Sequence, residues 1–236
     1  MKAMIACDFA CLRTALKSVL LSSVFVALVV LIGMGSFYIL PACLSAMIFL
    51  TLINNLFAYD ELNGWQGLRL TMPITRKQTV EGRYASALLL VLYGTAVGIA
   101  ITVVLIGVAM VAESIPASSG FAAGLLANGA WQGIALSAFA GVSLSILIAA
   151  VMLPVVLRNG LTKGTRVLPV VFALVVVMLL ALGQGAMQMP QPEGLVAWLQ
   201  TDTGAILLIL AILVVSILLL VLSCLVSIRL YAKREL

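Results

Sequence analysis

Long apolar runs alternate along the chain with short polar connections. A helix that crosses a bilayer needs about 20 predominantly apolar residues, and six segments meet this requirement. They are Val19–Leu40, Ala42–Tyr59, Ser86–Ala112, Trp131–Leu157, Val167–Met187 and Gly204–Leu230. The pattern predicts an all-α, polytopic membrane protein with six transmembrane helices in a single transmembrane domain, residues 1–236.

The residues that precede the first span have a mildly amphipathic pattern. One helical face is apolar and contains Met4, Cys7, Cys11 and Ala15, while charged residues such as Asp8 interrupt the rest. The pattern fits an N-terminal interfacial helix, residues 1–17, that lies on the cytoplasmic surface of the membrane. It fits a simple extension of the first span equally well.

The composition excludes a soluble globular protein. Of the 236 residues, 64% are hydrophobic and 9% are charged, whereas a soluble domain has about 25% charged residues. The mean hydropathy is +1.27. Because a domain of this size cannot bury so much apolar surface, membrane lipid is a predicted partner.

The basic residues set the orientation of the predicted spans. All 13 Lys and Arg residues fall on one side of the six-span topology, while the other side carries only acidic charges, Glu113, Glu193 and Asp202. Since cytoplasmic loops carry the excess of Lys and Arg, both termini are predicted to be cytoplasmic. The net charge of +5 therefore reflects membrane orientation, and nucleic acid is not a predicted partner.

Residue types for catalysis or metal binding are scarce in the sequence. Histidine is absent, four cysteines are present, and no Gly-rich loop followed by Lys could bind the phosphates of ATP. The sequence therefore predicts no catalytic residue, no metal site and no cofactor bound by this chain. The polar residues within the spans include Asn54, Asn55 and Gln184. Two roles are compatible with their positions, namely hydrogen bonding between packed helices and contact with a transported molecule.

The cytoplasmic connection between the second and third spans, residues 60–84, begins with an amphipathic pattern. Leu62, Trp65, Leu68 and Met72 lie on one side of a helix, which predicts a short amphipathic helix. Pro73 ends this helix, because proline disfavours helical angles in the residue before it.

A second helix signal follows the proline. Thr75 and Gln78 have the spacing of a capping box, which predicts a helix that begins near Arg76 and continues to about Ala112. Such a helix is roughly 55 Å long, so we expect its first two turns, with Arg83 among their charged residues, to stand in the cytoplasm. The connection is compatible with a docking element for a cytoplasmic partner. It is also compatible with a membrane-surface loop with a basic collar, by which we mean the Lys and Arg residues of this connection.

Several residues of this connection form a pattern that is typical of one family. The pattern consists of Asp60-Glu61, Trp65, the stretch Leu70-Thr71-Met72-Pro73-Ile74-Thr75-Arg76, then Val80 and Arg83-Tyr84. It resembles the membrane subunits of bacterial ABC-2-type exporters, in which an acidic residue ends the second span. In that family, Lys-Tyr commonly opens the third span. This sequence has Arg83 at the lysine position, which keeps the charge.

The resemblance implies a permease subunit of an ATP-driven exporter in the bacterial cytoplasmic membrane. Two six-span subunits, identical or related, would form the pathway, and separate P-loop ATPase subunits would bind ATP and Mg. The cargo would be a peptide, a drug or another amphipathic molecule. The coupling helix and its flanks would dock the ATPase through Asp60, Glu61, Leu62, Trp65, Leu68, Leu70, Pro73, Thr75 and Arg76.

Two other functions are compatible with the sequence alone. A scaffold or assembly subunit of a membrane complex would use the same basic cytoplasmic face for docking. An ion-coupled secondary transporter is disfavoured, because the six predicted spans place no ionisable group at depth.

Overall fold

The computed structural model of the chain describes residues 2–34, 37–62, 75–113, 130–160 and 202–232. These residues are almost entirely helical. They form five helices, which we name in chain order α1 (Lys2–Met34), α2 (Leu40–Leu62), α3 (Arg76–Glu113), α4 (Ala130–Asn159) and α5 (Asp202–Ala232). Each of the five contains a stretch that is long and apolar enough to cross a membrane.

The first helix differs from the predicted arrangement of an interfacial helix followed by a span that ends at Leu40. It is one continuous helix over Lys2–Met34. The sequence has no glycine or proline before Gly33, so nothing breaks the helix at residue 17. The structure therefore matches the other alternative, in which the N-terminal residues extend the first span.

The start of α3 confirms the predicted capping box. The Thr75 amide donates a hydrogen bond to Oε1 of Gln78 at 3.2 Å, and the Gln78 amide donates to Oγ1 of Thr75 at 3.3 Å. This reciprocal pair satisfies two backbone donors at the helix N-terminus. The helix runs from Arg76 to Glu113, one residue beyond its predicted end.

Proline and glycine set two other helix ends. Pro41 lies in the first turn of α2. A backbone N–H at this position would have no acceptor within the helix, so proline costs the helix no hydrogen bond. At the end of α4, Gly160 has a positive φ of 78°, which glycine adopts without steric cost. The Gly160 amide donates to the Val156 carbonyl at 2.8 Å and thereby closes the last turn.

The helices α2 and α4 form the centre of the bundle, and α1 and α5 lie at its periphery. In the most apolar window of α2 and of α4, 56% of the residues are buried, whereas the values are 22% for α1 and 17% for α5. The exposed side chains on these outer helices are large and apolar, for example Phe25 on α1 and Leu222 on α5. Such faces suit contact with lipid or with another membrane helix.

Glycines allow α3 and α4 to approach α2 closely. A Cβ on Gly94 would lie 3.0 Å from the carbonyl oxygen of Ser45, and a Cβ on Gly98 would lie 3.3 Å from Cβ of Leu44. A Cβ on Gly141 of α4 would overlap the hydroxyl of the same Ser45. The GxxxG spacing in α3 is therefore used for packing within the chain.

Two predicted elements lie outside the described residues. They are the amphipathic segment that follows Leu62 and the fifth predicted span, Val167–Met187. The described part of the chain contains five candidate spans, so the count of six stays a prediction.

Candidate functional site

A buried arginine lies at the end of the second turn of α3. The side chain of Arg83 is 1% exposed, and Tyr84 is also buried. Lys77 and Glu81, on the exposed side of the same turns, form an ion pair at 3.7 Å. Arg83 and Tyr84 therefore pack against other helices instead of facing solvent, while the position of these two turns outside the bilayer stays a prediction.

Arg83 forms ion pairs with an aspartate from each of two other helices. Its Nη1 lies 3.1 Å from Oδ1 of Asp8 in α1, and its Nη2 donates a hydrogen bond to Oδ2 of Asp60 in α2. Its Cζ lies 5.5 Å from the centre of the Phe57 ring, within the range of a cation–π interaction. Ser86 donates to Oδ2 of Asp8 at 2.8 Å. We call Asp8, Asp60 and Arg83 the ion cluster.

Mutual pairing allows these three charges to be buried. An unpaired ion in an apolar interior is strongly disfavoured by its lost hydration, and removal of one partner of a buried pair costs about 3–5 kcal/mol. Arg83 interacts with both carboxylates at once, and Ser86 gives Asp8 a further hydrogen bond. The ion cluster therefore fixes α1, α2 and α3 relative to one another at this end of the bundle.

Tyr84, the next residue of α3, contacts the two remaining helices. Its hydroxyl lies 2.7 Å from the hydroxyls of both Ser223 and Ser227 in α5. Ser223 in turn donates to the Ala150 carbonyl of α4 at 2.6 Å. We call these residues the tyrosine network. It joins α3 to α5 directly and to α4 through one serine.

The structure describes the two ends of the predicted docking segment. Asp60 is buried in the ion cluster, Glu61 is half-buried, and Thr75 is exposed at the start of α3. Leu62 and Arg76 are helical, but their side chains lie outside the description. The other four residues of the segment also lie outside it: Trp65, Leu68, Leu70 and Pro73. Their docking role stays a prediction.

The polar residues predicted within the spans are only partly described. Asn54 and Asn55 are half-buried in α2. The Oδ1 atom of Asn54 is buried and accepts no hydrogen bond from the described part of the chain. Gln184 lies outside the described residues. Helix packing and contact with a transported molecule therefore both stay predictions for these residues.

Three residues of the site were missed by sequence reasoning. Asp8 is a charge within an apolar stretch of α1, and such a charge needs a partner wherever the helix packs. Ser223 and Ser227 are four residues apart in a mostly aliphatic helix, so they share one face. These signals indicate that the residues have polar partners, but they do not identify Arg83 and Tyr84 as those partners.

The residues that could bind a metal ion are not grouped in the part of the chain that the structure describes. No group of three or more Cys, Asp or Glu side chains that could hold a metal ion occurs there, and the four cysteines are free. What this site does physically is hold helices together. It makes α3 the element to which α1, α2 and α5 are attached by side-chain bonds.

Long apolar helices that are joined by buried polar contacts define a multi-pass helical membrane protein. A family model described as ABC-2 family transporter protein matches residues 3–232, nearly the whole chain. The chain therefore belongs to the ABC-2 transporter family, and it is a membrane component of an ABC transporter. The match confirms the resemblance found in residues 60–84. No individually curated protein and no solved structure gives a significant match.

Proposed function

We propose that the chain is the permease subunit of an ATP-driven exporter in a bacterial cytoplasmic membrane, and that residues 60–76 dock a separate ATPase subunit. The observation that carries this proposal is the anchoring of both ends of the segment. Asp60 is paired with Arg83, and Thr75 forms a capping box with Gln78. A segment that is held at both ends can pass a rigid-body displacement into the helices that hold it.

The ATPase contact that we propose has an apolar centre. Trp65 would be its anchor, because large aromatic residues dominate the energetics of many protein interfaces. Leu62 and Leu68 would extend the same stripe, and Arg76 would add a charge pair. ATP and Mg would bind to the partner ATPase, since the sequence of this chain contains no P-loop.

The topology that we propose has six spans and cytoplasmic termini. Tyr84 near the start of α3 bonds to Ser227 near the end of α5, and Ser223 bonds to Ala150 in the second half of α4. These contacts support a parallel arrangement of α4 and α5. Two consecutive parallel spans require one more crossing between them, and the predicted span Val167–Met187 would supply it. The basic residues support the cytoplasmic side for this end of the bundle.

The pathway that we propose lies between two permease subunits, either identical or related. A single bundle of this size has a centre filled by helix contacts such as those at Gly94 and Gly141. The exposed apolar faces of the outer helices support a further helix contact in the membrane. A peptide, a drug or another amphipathic molecule fits a pathway whose walls are mostly apolar.

Purification of the tagged chain from its native membrane in mild detergent tests this proposal. We expect a P-loop ATPase to co-purify with it, and the permease to behave as a two-subunit assembly. A fully active monomer that carries no ATPase, both in detergent and in nanodiscs, would contradict the proposal.

A further inference from the structure

Two consecutive residues of α3 join this helix to all four of the other described helices. Arg83 joins it to α1 and α2 through the ion cluster. Tyr84 joins it to α5, and through a serine to α4, in the tyrosine network. The five described helices are thus connected at one point of α3, close to the end of the docking segment.

We propose that Arg83 and Tyr84 are positioning residues through which a displacement of the docking segment reaches the other helices. This inference rests on the proposed function, because it requires an ATPase that moves residues 60–76. It goes further by assigning the transmission to two buried side chains that do not themselves belong to the docking surface.

The distance from the docking segment to these two residues is short. Arg83 is seven residues from Arg76, about 10 Å along the axis of an α-helix. The stretch between them is helical throughout, and the capping box fixes its first turn. A push on the start of α3 therefore reaches Arg83 and Tyr84 through hydrogen-bonded backbone.

The ion cluster makes α1 and α2 follow α3. Separation of Arg83 from either aspartate would leave buried charges without their partners, which is strongly disfavoured. Asp60 is the first residue of the docking segment, and Arg83 follows the segment. The Asp60–Arg83 pair therefore closes the segment at its base, so that its two ends move together.

The tyrosine network gives α5 a weaker link to α3. Hydrogen bonds between neutral hydroxyls are weaker than those between ions. The Tyr84 hydroxyl also reaches two serines that are one helical turn apart. Helix α5 can consequently shift along α3 while one of these bonds persists. We expect α1 to move with α3, and the distance between α1 and α5 to change.

The test uses the chain in lipid nanodiscs, bound to the P-loop ATPase that co-purifies with it. The four native cysteines are replaced by alanine. Spin labels are then attached to cysteines at Val29 of α1 and Ile206 of α5, which are both exposed. Trapping of the ATPase with ATP and vanadate is expected to shift the distance between the two labels.

Two variants interrupt the proposed transmission. Asp8→Asn removes the carboxylate by which α1 is attached to Arg83 and keeps the Asp60–Arg83 pair at the base of the docking segment. Tyr84→Phe removes a single hydroxyl. Both are expected to bind the ATPase. Asp8→Asn, in which α1 no longer follows α3, is expected to reduce the vanadate-dependent shift about fivefold or more. Tyr84→Phe, in which α5 no longer follows α3, is expected to enlarge it. Glu81→Gln, which breaks the exposed ion pair on the same helix, is the matched control and is expected to shift like the wild type.

A shift of wild-type size in both Asp8→Asn and Tyr84→Phe would overturn the inference. Loss of ATPase binding in Asp8→Asn, with its helical content intact, would also overturn it, because the ion cluster would then act in docking. If Asp8→Asn does not fold, Tyr84→Phe alone decides. An ATPase-bound wild-type chain without any shift would likewise overturn the inference, whereas a wild-type chain that binds no ATPase would contradict the proposed function itself, which distinguishes the two failures.

Discussion

The guanidinium of Arg83 lies 3.1 Å from the carboxylate of Asp8, measured from Nη1 to Oδ1. This contact joins α3 to α1, across a large separation in sequence. It explains why the N-terminal residues belong to the bundle, because Asp8 on α1 is paired inside the protein. It also gives Arg83 a second carboxylate beside Asp60.

Loss of Arg83 alone is expected to destabilise the protein strongly. Arg83→Ala leaves Asp8 and Asp60 buried without their cation, which should lower the free energy of unfolding by about 3–5 kcal/mol. Titration with SDS, followed by the loss of helical circular dichroism, measures this change. The triple variant Asp8→Asn/Asp60→Asn/Arg83→Gln should lose less stability than Arg83→Ala, because it leaves no buried ion without a counterion. Wild-type stability of Arg83→Ala would show that the ion cluster does not hold the helices together.

The close approach of α4 to α2 predicts a difference between two glycines. A Cβ at Gly141 would lie 2.8 Å from Cα of Ala42, so Gly141→Ala requires backbone movement and should destabilise the bundle by about 1–3 kcal/mol. Gly107 of α3 has no neighbour within 4 Å of such a Cβ. Gly107→Ala is therefore the matched control, and alanine should be equal to or better than glycine there. The same SDS titration compares the two variants, and equal stabilities would contradict the packing.

The capping box predicts a local effect at the start of α3. Thr75→Val removes the oxygen that accepts from the Gln78 amide, at a cost of about 1 kcal/mol. Hydrogen exchange at this amide should accelerate about fivefold. Thr95→Val is the control, because the Thr95 hydroxyl donates only to its own helix, at the Val91 carbonyl. Equal exchange in the wild type and Thr75→Val would mean that the cap does not hold this turn.

The proposed topology predicts a labelling pattern in intact cells. On a background without native cysteines, a cysteine at Ser118 or Thr201 should react with a membrane-impermeant maleimide. A cysteine at Gln66 or Asn159 should react only after the cells are opened, because the basic residues keep these positions in the cytoplasm. Reaction of position 159 from outside would contradict the six-span arrangement.

Sequence reasoning succeeded where the deciding interaction is local. The boundary at Arg76 follows from two residues three positions apart, and a capping box has the same meaning in any protein. The apolar runs likewise identify the helices of the described residues, because length and hydropathy decide whether a segment can span a membrane.

Sequence reasoning failed where the deciding interaction is distant along the chain. Helix length placed Arg83 in the turns that extend beyond the bilayer, but it did not predict that the side chain would be buried. Its burial depends on Asp8, and no pattern in the sequence links these two positions. The same reason explains why Ser223 and Ser227 could not be assigned to Tyr84 before the helices were placed side by side.

The central claim, that residues 60–76 dock the ATPase, is tested most directly by the Kd between the purified permease in nanodiscs and its ATPase. Trp65→Ala should weaken binding by about 2 kcal/mol, roughly thirtyfold in Kd, whereas Trp131→Ala at the opposite end of the bundle should leave the Kd unchanged. Arg76→Ala should weaken it in a way that fades as salt is added. Wild-type Kd values for both Trp65→Ala and Arg76→Ala would contradict the account, and residues 60–84 would then be a membrane-surface loop with a basic collar.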